Sequence, residues 1–110
     1  RGMHLADGEF AWTSYKKTAM RIFEKHLSST EAKGITRIHA TQKPICLYDW
    51  IFKNYASEGN LILDTHLGSQ SSRIAANKAG LDFVGFEIDR EYFDNGNKRF
   101  KNFVSQGVLF

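Results

Sequence analysis

Two short apolar runs, each closed by a carboxylate, constrain this chain more than any other feature: Leu61-Ile62-Leu63 stops at Asp64, and Phe83-Val84-Gly85-Phe86 stops at Glu87. Neither run alternates apolar with polar residues, which is the pattern of a strand covered on both faces in a parallel sheet. Between them Ala75, Ala76 and Ala79 lie in a helical segment opened by Ser69 or Gln70, and Gly80 is placed to take the left-handed turn that ends it. Strand, helix and strand in this order form a βαβ unit, for which the right-handed crossover is the rule. Helices flank it. Thr41 is placed to cap one that begins near Pro44, whose missing amide is harmless in a first turn. Leu47, Tyr48, Ile51, Phe52 and Tyr55 share one face of that helix, and Glu58-Gly59-Asn60 ends it. Asp89 caps a third helix, in which Tyr92, Phe93, Phe100, Phe103 and Val104 form a core stripe and Gly96 is a weak point. The expected fold class is α/β, a parallel βαβ core with helices on both faces. Phe10–Ser14 and Arg21–His26 read as one or two short N-terminal strands, followed by a loop over Ser28–Gly34.

A chain of 110 residues, 42% hydrophobic, has the material for one packed domain. Its lone Cys46 makes neither an internal disulfide nor a thiolate zinc site, and inside a helix it reads as a structural thiol. His4, His26, His39 and His66 are not spaced as metal ligands, so no metal is expected. No apolar stretch approaches the roughly 20 residues of a membrane span, and no secretory leader is visible, so the chain reads as soluble and cytoplasmic. It opens on Arg1-Gly2 rather than Met, which suggests a piece of something longer. Charge is uneven: residues 1–43 carry eight Lys/Arg against four Asp/Glu, and residues 44–110 carry seven against eight. A basic first segment suits a polyanion such as nucleic acid; a solvated basic surface without a partner is the other reading.

Ligands of open parallel sheets sit beyond the carboxyl ends of the strands, near a helix start and a glycine. Asp64 and Glu87, 23 positions apart, occupy those ends, and an acidic residue at the second strand end suits ribose hydroxyls. A nucleoside-containing ligand follows. The intervening loop, Asp64 to Ser72, has one glycine, Gly68, and no Lys-Ser/Thr pair after it, so it does not cradle a triphosphate. On spacing alone a second reading stands beside this one, in which both carboxylates merely cap the helices that follow.

Ile38-His39-Ala40-Thr41-Gln42-Lys43-Pro44, the apolar helix after it, Leu61–Ser69 and Val84-Gly85-Phe86-Glu87-Ile88-Asp89 together resemble the S-adenosylmethionine half of bacterial and phage DNA adenine methyltransferases. Their order looks like the permuted beta arrangement, in which a His-Pro-Thr-Gln-Lys-Pro segment precedes the cofactor-binding strand and the catalytic motif lies far upstream. Trp12-Thr13-Ser14 looks like the aromatic segment ahead of this region. The resemblance covers residues 10–104 and implies a partial Rossmann-like methyltransferase fold, with a basic segment over 1–40 and the cofactor-binding βαβ region over 41–110. It implies S-adenosylmethionine as cofactor, with Thr41, Gln42 and Lys43 on its methionine side, Asp64, His66, Gly68 and Ser69 around its amino acid end, and Glu87 on its ribose. Double-stranded DNA is the implied substrate of the intact, restriction-modification type enzyme, with Lys16, Lys17 and Arg21 as phosphate contacts.

The chain departs from the family pattern in three places. Asp64-Thr65-His66 replaces an Asp-Pro-Phe start, a variant similar to phage-like members; Ala40 replaces a proline; and Gln70 stands where a second glycine is common. A glutamine forced to positive φ costs on the order of 1–2 kcal/mol. The larger departure is an absence. The catalytic Asp-Pro-Pro-Tyr of such enzymes needs adjacent prolines, and this chain has one proline, Pro44. The chain is therefore expected to be inactive alone, with an upstream catalytic segment as its partner. Rival readings are a degenerate nucleic-acid-binding remnant with Gln70 as its scar, a cytosine amino-methyltransferase, and a piece of a nucleotide-binding oxidoreductase, which the missing glycine-rich fingerprint disfavours.

Overall fold

Five elements run in the order α1 (Ile45–Tyr55), β1 (Leu61–Asp64), α2 (Ser71–Lys78), β2 (Asp82–Gly85) and α3 (Arg90–Gly107). The computed structural model describes residues 9–16, 21–24 and 42–107. The helix-strand-helix-strand-helix order expected from the sequence is the one observed.

Local chemistry explains most boundaries. Pro44 is the extended residue before α1 and supplies a carbonyl, to which the Leu47 amide donates at 3.1 Å. No side chain caps this helix, and Thr41 lies outside the described residues. α2 ends in a Schellman turn: Gly80, at φ +71°, donates to the Asn77 carbonyl, and the Leu81 amide reaches back to Ala76 at 2.9 Å. At α3 the Asp89 carboxylate accepts the Tyr92 amide at 2.9 Å, the expected N-cap. β1 and β2 pair in parallel with Leu63 opposite Val84 and Asp64 opposite Gly85, so both strands deliver their acidic ends to the same edge.

The core lies on one side of this strand pair. Phe52 of α1 and Ala75 and Ala76 of α2 are buried against Ile51, Ile62, Leu81 and Phe83, so two helices cover a single sheet face. The other face is bare: Leu61 and Leu63 are each 62% exposed, Val84 42% and Phe86 59%. The expectation of strands covered on both faces is thus corrected. The described residues supply helices to one side only, although the unbroken apolar runs are written for two.

A second correction concerns the N-terminal strands. Phe10–Ser14 and Arg21–Glu24 form no strand; Lys25 and His26 lie outside the described residues. Phe23 and the neighbouring Tyr15 pack on α1 instead of pairing backbones, while Phe10 and Trp12 are exposed. The Tyr15 ring meets Tyr55 edge-on at 5.3 Å and its hydroxyl donates to the Tyr55 carbonyl, while Phe23 sits 5.6 Å from Trp50. Aromatic residues at this spacing suit a strand, but Phe23 places its ring against a helix instead. Among the described residues no helix is long and apolar enough to cross a membrane.

Candidate functional site

The site is built on the turn between β1 and α2. The chain leaves Asp64 and folds back across the end of β2, where the Phe86 amide donates to the Asp64 carbonyl and the Leu67 amide to the Phe86 carbonyl, both at 2.9 Å. Leu67 is buried in this fold-back, and Gly85 makes room for it: a Cβ at residue 85 would fall 2.4 Å from Leu67 Cδ2. Each strand-end carboxylate clamps the turn. Asp64 accepts the His66 amide at 2.9 Å on one oxygen and the Ser72 hydroxyl on the other. Glu87 accepts the Gly68 amide at 2.8 Å and the Asp89 amide at 2.9 Å. Gly68, at φ +54°, takes the left-handed backbone that aims its amide at Glu87. Neither carboxylate caps a helix in the simple sense; both organise the loop, and a carboxylate with about four lone-pair directions retains acceptor capacity beyond two such bonds.

Behind the turn lies a polar seam between α2 and α3. Gln70, at φ +66°, is fully buried, with its Nε2 donating to Asn97 Oδ1 at 2.9 Å and its Oε1 accepting from Arg73 at 2.9 Å. Gly96 faces it with no side chain, and a Cβ there would meet the Gln70 side chain at 2.7 Å. The Arg73 guanidinium also stacks 3.7 Å from the Phe100 ring centre. Arg99 reaches from α3 to the Ser69 carbonyl at 2.9 Å and to Ser71 Oγ at 2.8 Å. Burial holds both arginines below the usual guanidinium range.

In front of the turn a cleft of about 140 Å³ is lined by Gln42, Lys43, Tyr48, His66, Leu67, Gly68, Ser69 and Ser71. Ser71 donates to the Lys43 carbonyl at 2.7 Å, tying the segment before α1 to the start of α2. The Lys43 ammonium pairs with Glu9. Burial, and then the nearby negative charge of Asp64, push the Tyr48 phenol above its ordinary pKa and keep it protonated.

The structure brings Gln42, Lys43, His66, Gly68 and Ser69 to this cleft. Asp64 and Glu87 are not among its lining residues; their carboxylates hold the loop that forms it. Thr41 and Lys17 lie outside the described residues; Lys16 is exposed. Arg21, expected to face phosphates, donates to Asn54 Oδ1 at 2.7 Å and lies over the Tyr55 ring, so α1 engages it. Cys46 is a partly buried free thiol on the first turn of α1. Among the described residues no three His, Cys, Asp or Glu gather as a metal site would require. Sequence reasoning missed Tyr48, Ser71 and Arg99. Tyr48 packs against the core as its spacing on α1 predicts and also lines the cleft, and no local signal marks Arg99, which acts 28 residues from Ser71 in the chain.

In open α/β sheets ligands bind beyond the carboxyl ends of parallel strands, beside a glycine turn and a helix start, and the same features meet here. A family model described as DNA methylase matches residues 9–98, and the chain belongs to that family. It is 30% identical over 74 residues to the type II methyltransferase M1.MboII of Moraxella bovis, covering 67% of this chain and 28% of that protein. To M2.DpnII of Streptococcus pneumoniae it is 36% identical over 61 residues, 56% of this chain and 23% of the relative. To M2.LlaDCHI of Lactococcus lactis subsp. cremoris it is 30% identical over 70 residues, 64% of this chain and 26% of the relative. The chain thus spans about a quarter of the length of these curated relatives. No solved structure matches it.

Proposed function

We propose that this chain is the S-adenosylmethionine-binding part of a site-specific DNA methyltransferase acting on the exocyclic amine of adenine. One observation carries the reading: in a member of the DNA methylase family, the turn clamped by Asp64 and Glu87 gathers Gln42, Lys43, His66, Gly68 and Ser69 around a single cleft. The relatives are type II methyltransferases, which supports a role in restriction-modification.

The donor set suits such a cofactor. Ser69 and the Gly68 backbone offer small polar walls that permit close approach, Glu87 keeps acceptor directions for ribose hydroxyls, and the Asp64 carboxylate favours an ammonium nearby. When bound, the cofactor supplies a methyl group on a sulfonium. The chain's own residues bind and orient it, and orientation provides much of the rate in a direct displacement. The cleft, about 140 Å³, is smaller than the roughly 300–1,000 Å³ of small-molecule pockets. It therefore receives one end of the ligand. The remaining walls, the Asp-Pro-Pro-Tyr motif and most DNA contacts belong to an upstream segment of the whole enzyme. The remnant reading loses its main support, because the Gln70 side chain turns into the α2–α3 seam and leaves the cleft open.

Calorimetric titration with S-adenosylmethionine tests the proposal. Saturable binding is expected, weakened about tenfold or more in Asp64→Ala. An unaltered chain that takes up no cofactor while remaining folded by circular dichroism would refute it.

A further inference from the structure

We infer that Arg99 is a positioning residue that sets the hydroxyls of Ser69 and Ser71 and thereby selects a ligand whose cleft end bears a carboxylate. The inference rests on the cofactor reading above and goes beyond it by naming the residue that sets the serine donors.

Arg99 Nη1 donates to the Ser69 carbonyl at 2.9 Å, to Ser69 Oγ at 3.2 Å and to Ser71 Oγ at 2.8 Å. A serine oxygen that accepts from a guanidinium must turn its own proton elsewhere. Ser71 gives its proton to the Lys43 carbonyl at 2.7 Å. Beyond Arg99, the Ser69 oxygen has only Ser71 Oγ within reach among the described residues, at a long 3.3 Å, so its proton is the one available to an acceptor in the cleft. One arginine therefore governs two walls: the turn after β1 through Ser69, and the Gln42-Lys43 segment through Ser71.

The charge balance points the same way. Lys43 pairs with Glu9, Lys78 with Asp49 and Arg90 with Asp94, yet among the described residues no carboxylate pairs with Arg99. Asp64 and Glu87 direct their oxygens to the loop amides and Ser72. A guanidinium drawn partly out of water against neutral oxygens alone leaves its positive charge uncompensated. An anionic ligand group seated on Ser69 and Ser71 compensates it. The amino acid end of the proposed cofactor carries such a group; its nucleoside does not.

Arg73 provides the contrast. It occupies the same seam, likewise without a carboxylate partner among the described residues, but it bonds to Gln70 and Asn97, away from the cleft.

The test compares S-adenosylhomocysteine with methylthioadenosine, which lacks the amino acid, by calorimetric titration of the full chain. Arg99→Met is expected to weaken S-adenosylhomocysteine about tenfold or more while leaving methylthioadenosine within about twofold. Arg99→Lys is expected to recover part of the loss by restoring charge, and Arg73→Met to move both ligands alike or neither. If Arg99→Met weakens both ligands equally, Arg99 is only structural and the inference fails; it also fails if neither ligand responds. If the unaltered chain binds neither compound, the cofactor reading itself fails first.

Discussion

Gln70 holds a left-handed backbone that glycine adopts freely, and the strain, on the order of 1–2 kcal/mol for a non-glycine residue, is offset by where its side chain goes. The amide is buried in the α2–α3 seam with Asn97 and Arg73 as partners, and Gly96 leaves the space it occupies. The apparent weakness of a glycine inside α3 is therefore the complement of an unusual glutamine 26 residues earlier. Placing a methyl group at residue 96 drives it into the Gln70 side chain. Gly96→Ala is expected to destabilise the fold by about 1–3 kcal/mol, as overpacking does. In a Gln70→Ala background the same change should cost clearly less, because the colliding atoms are gone. Urea denaturation of the four proteins in that cycle measures the coupling, and additive effects would show that the two residues do not share the space.

At the scale of elements, the helices follow their punctuation and the strands do not follow their burial pattern. Asp89 caps α3 and Gly80 ends α2 as their residue types lead one to expect, because both effects act through hydrogen bonds within one turn. Asp89→Ala should cost about 1 kcal/mol. Gly80→Ala should cost about 1–2 kcal/mol from backbone conformation alone, since a Cβ there meets nothing within 4 Å. Shifts in urea midpoint check both, and a Gly80→Asn variant that keeps most of the stability would confirm a conformational origin. Alternation at Phe10–Ser14 and Arg21–Glu24, by contrast, does not specify a partner. Tyr15, Arg21 and Phe23 find Tyr55, Asn54 and Trp50 of α1, and no strand forms.

For the whole molecule the decisive feature is the one-sided sheet. Ile62 and Phe83 face the helices, while Leu61, Leu63, Val84 and Phe86 face solvent, in a chain that spans about a quarter of its curated relatives. Contiguous exposed apolar surface of this kind favours association. Ile62→Ala should cost about 1–3 kcal/mol from lost packing, whereas Leu63→Ser should change stability by no more than about 0.5 kcal/mol and reduce concentration-dependent self-association. Sedimentation velocity beside thermal denaturation distinguishes the two. A large stability loss in Leu63→Ser would mean that this face is already covered.

What the sequence by itself determined is whatever a few neighbouring residues decide: two strands closed by Asp64 and Glu87, the helix between them, and the caps at Gly80 and Asp89. These rest on local backbone geometry and on side chains bonding to nearby amides. Only the tertiary structure decided that Gln70 turns away from the cleft, that Ser71 and Tyr48 turn toward it, that Arg99 stands behind the serines, and that one sheet face is bare. Those outcomes depend on residues brought together across 27 or 28 positions of chain, as Gln70 with Asn97 and Ser71 with Arg99, and no periodicity within either segment carries the orientation of the other.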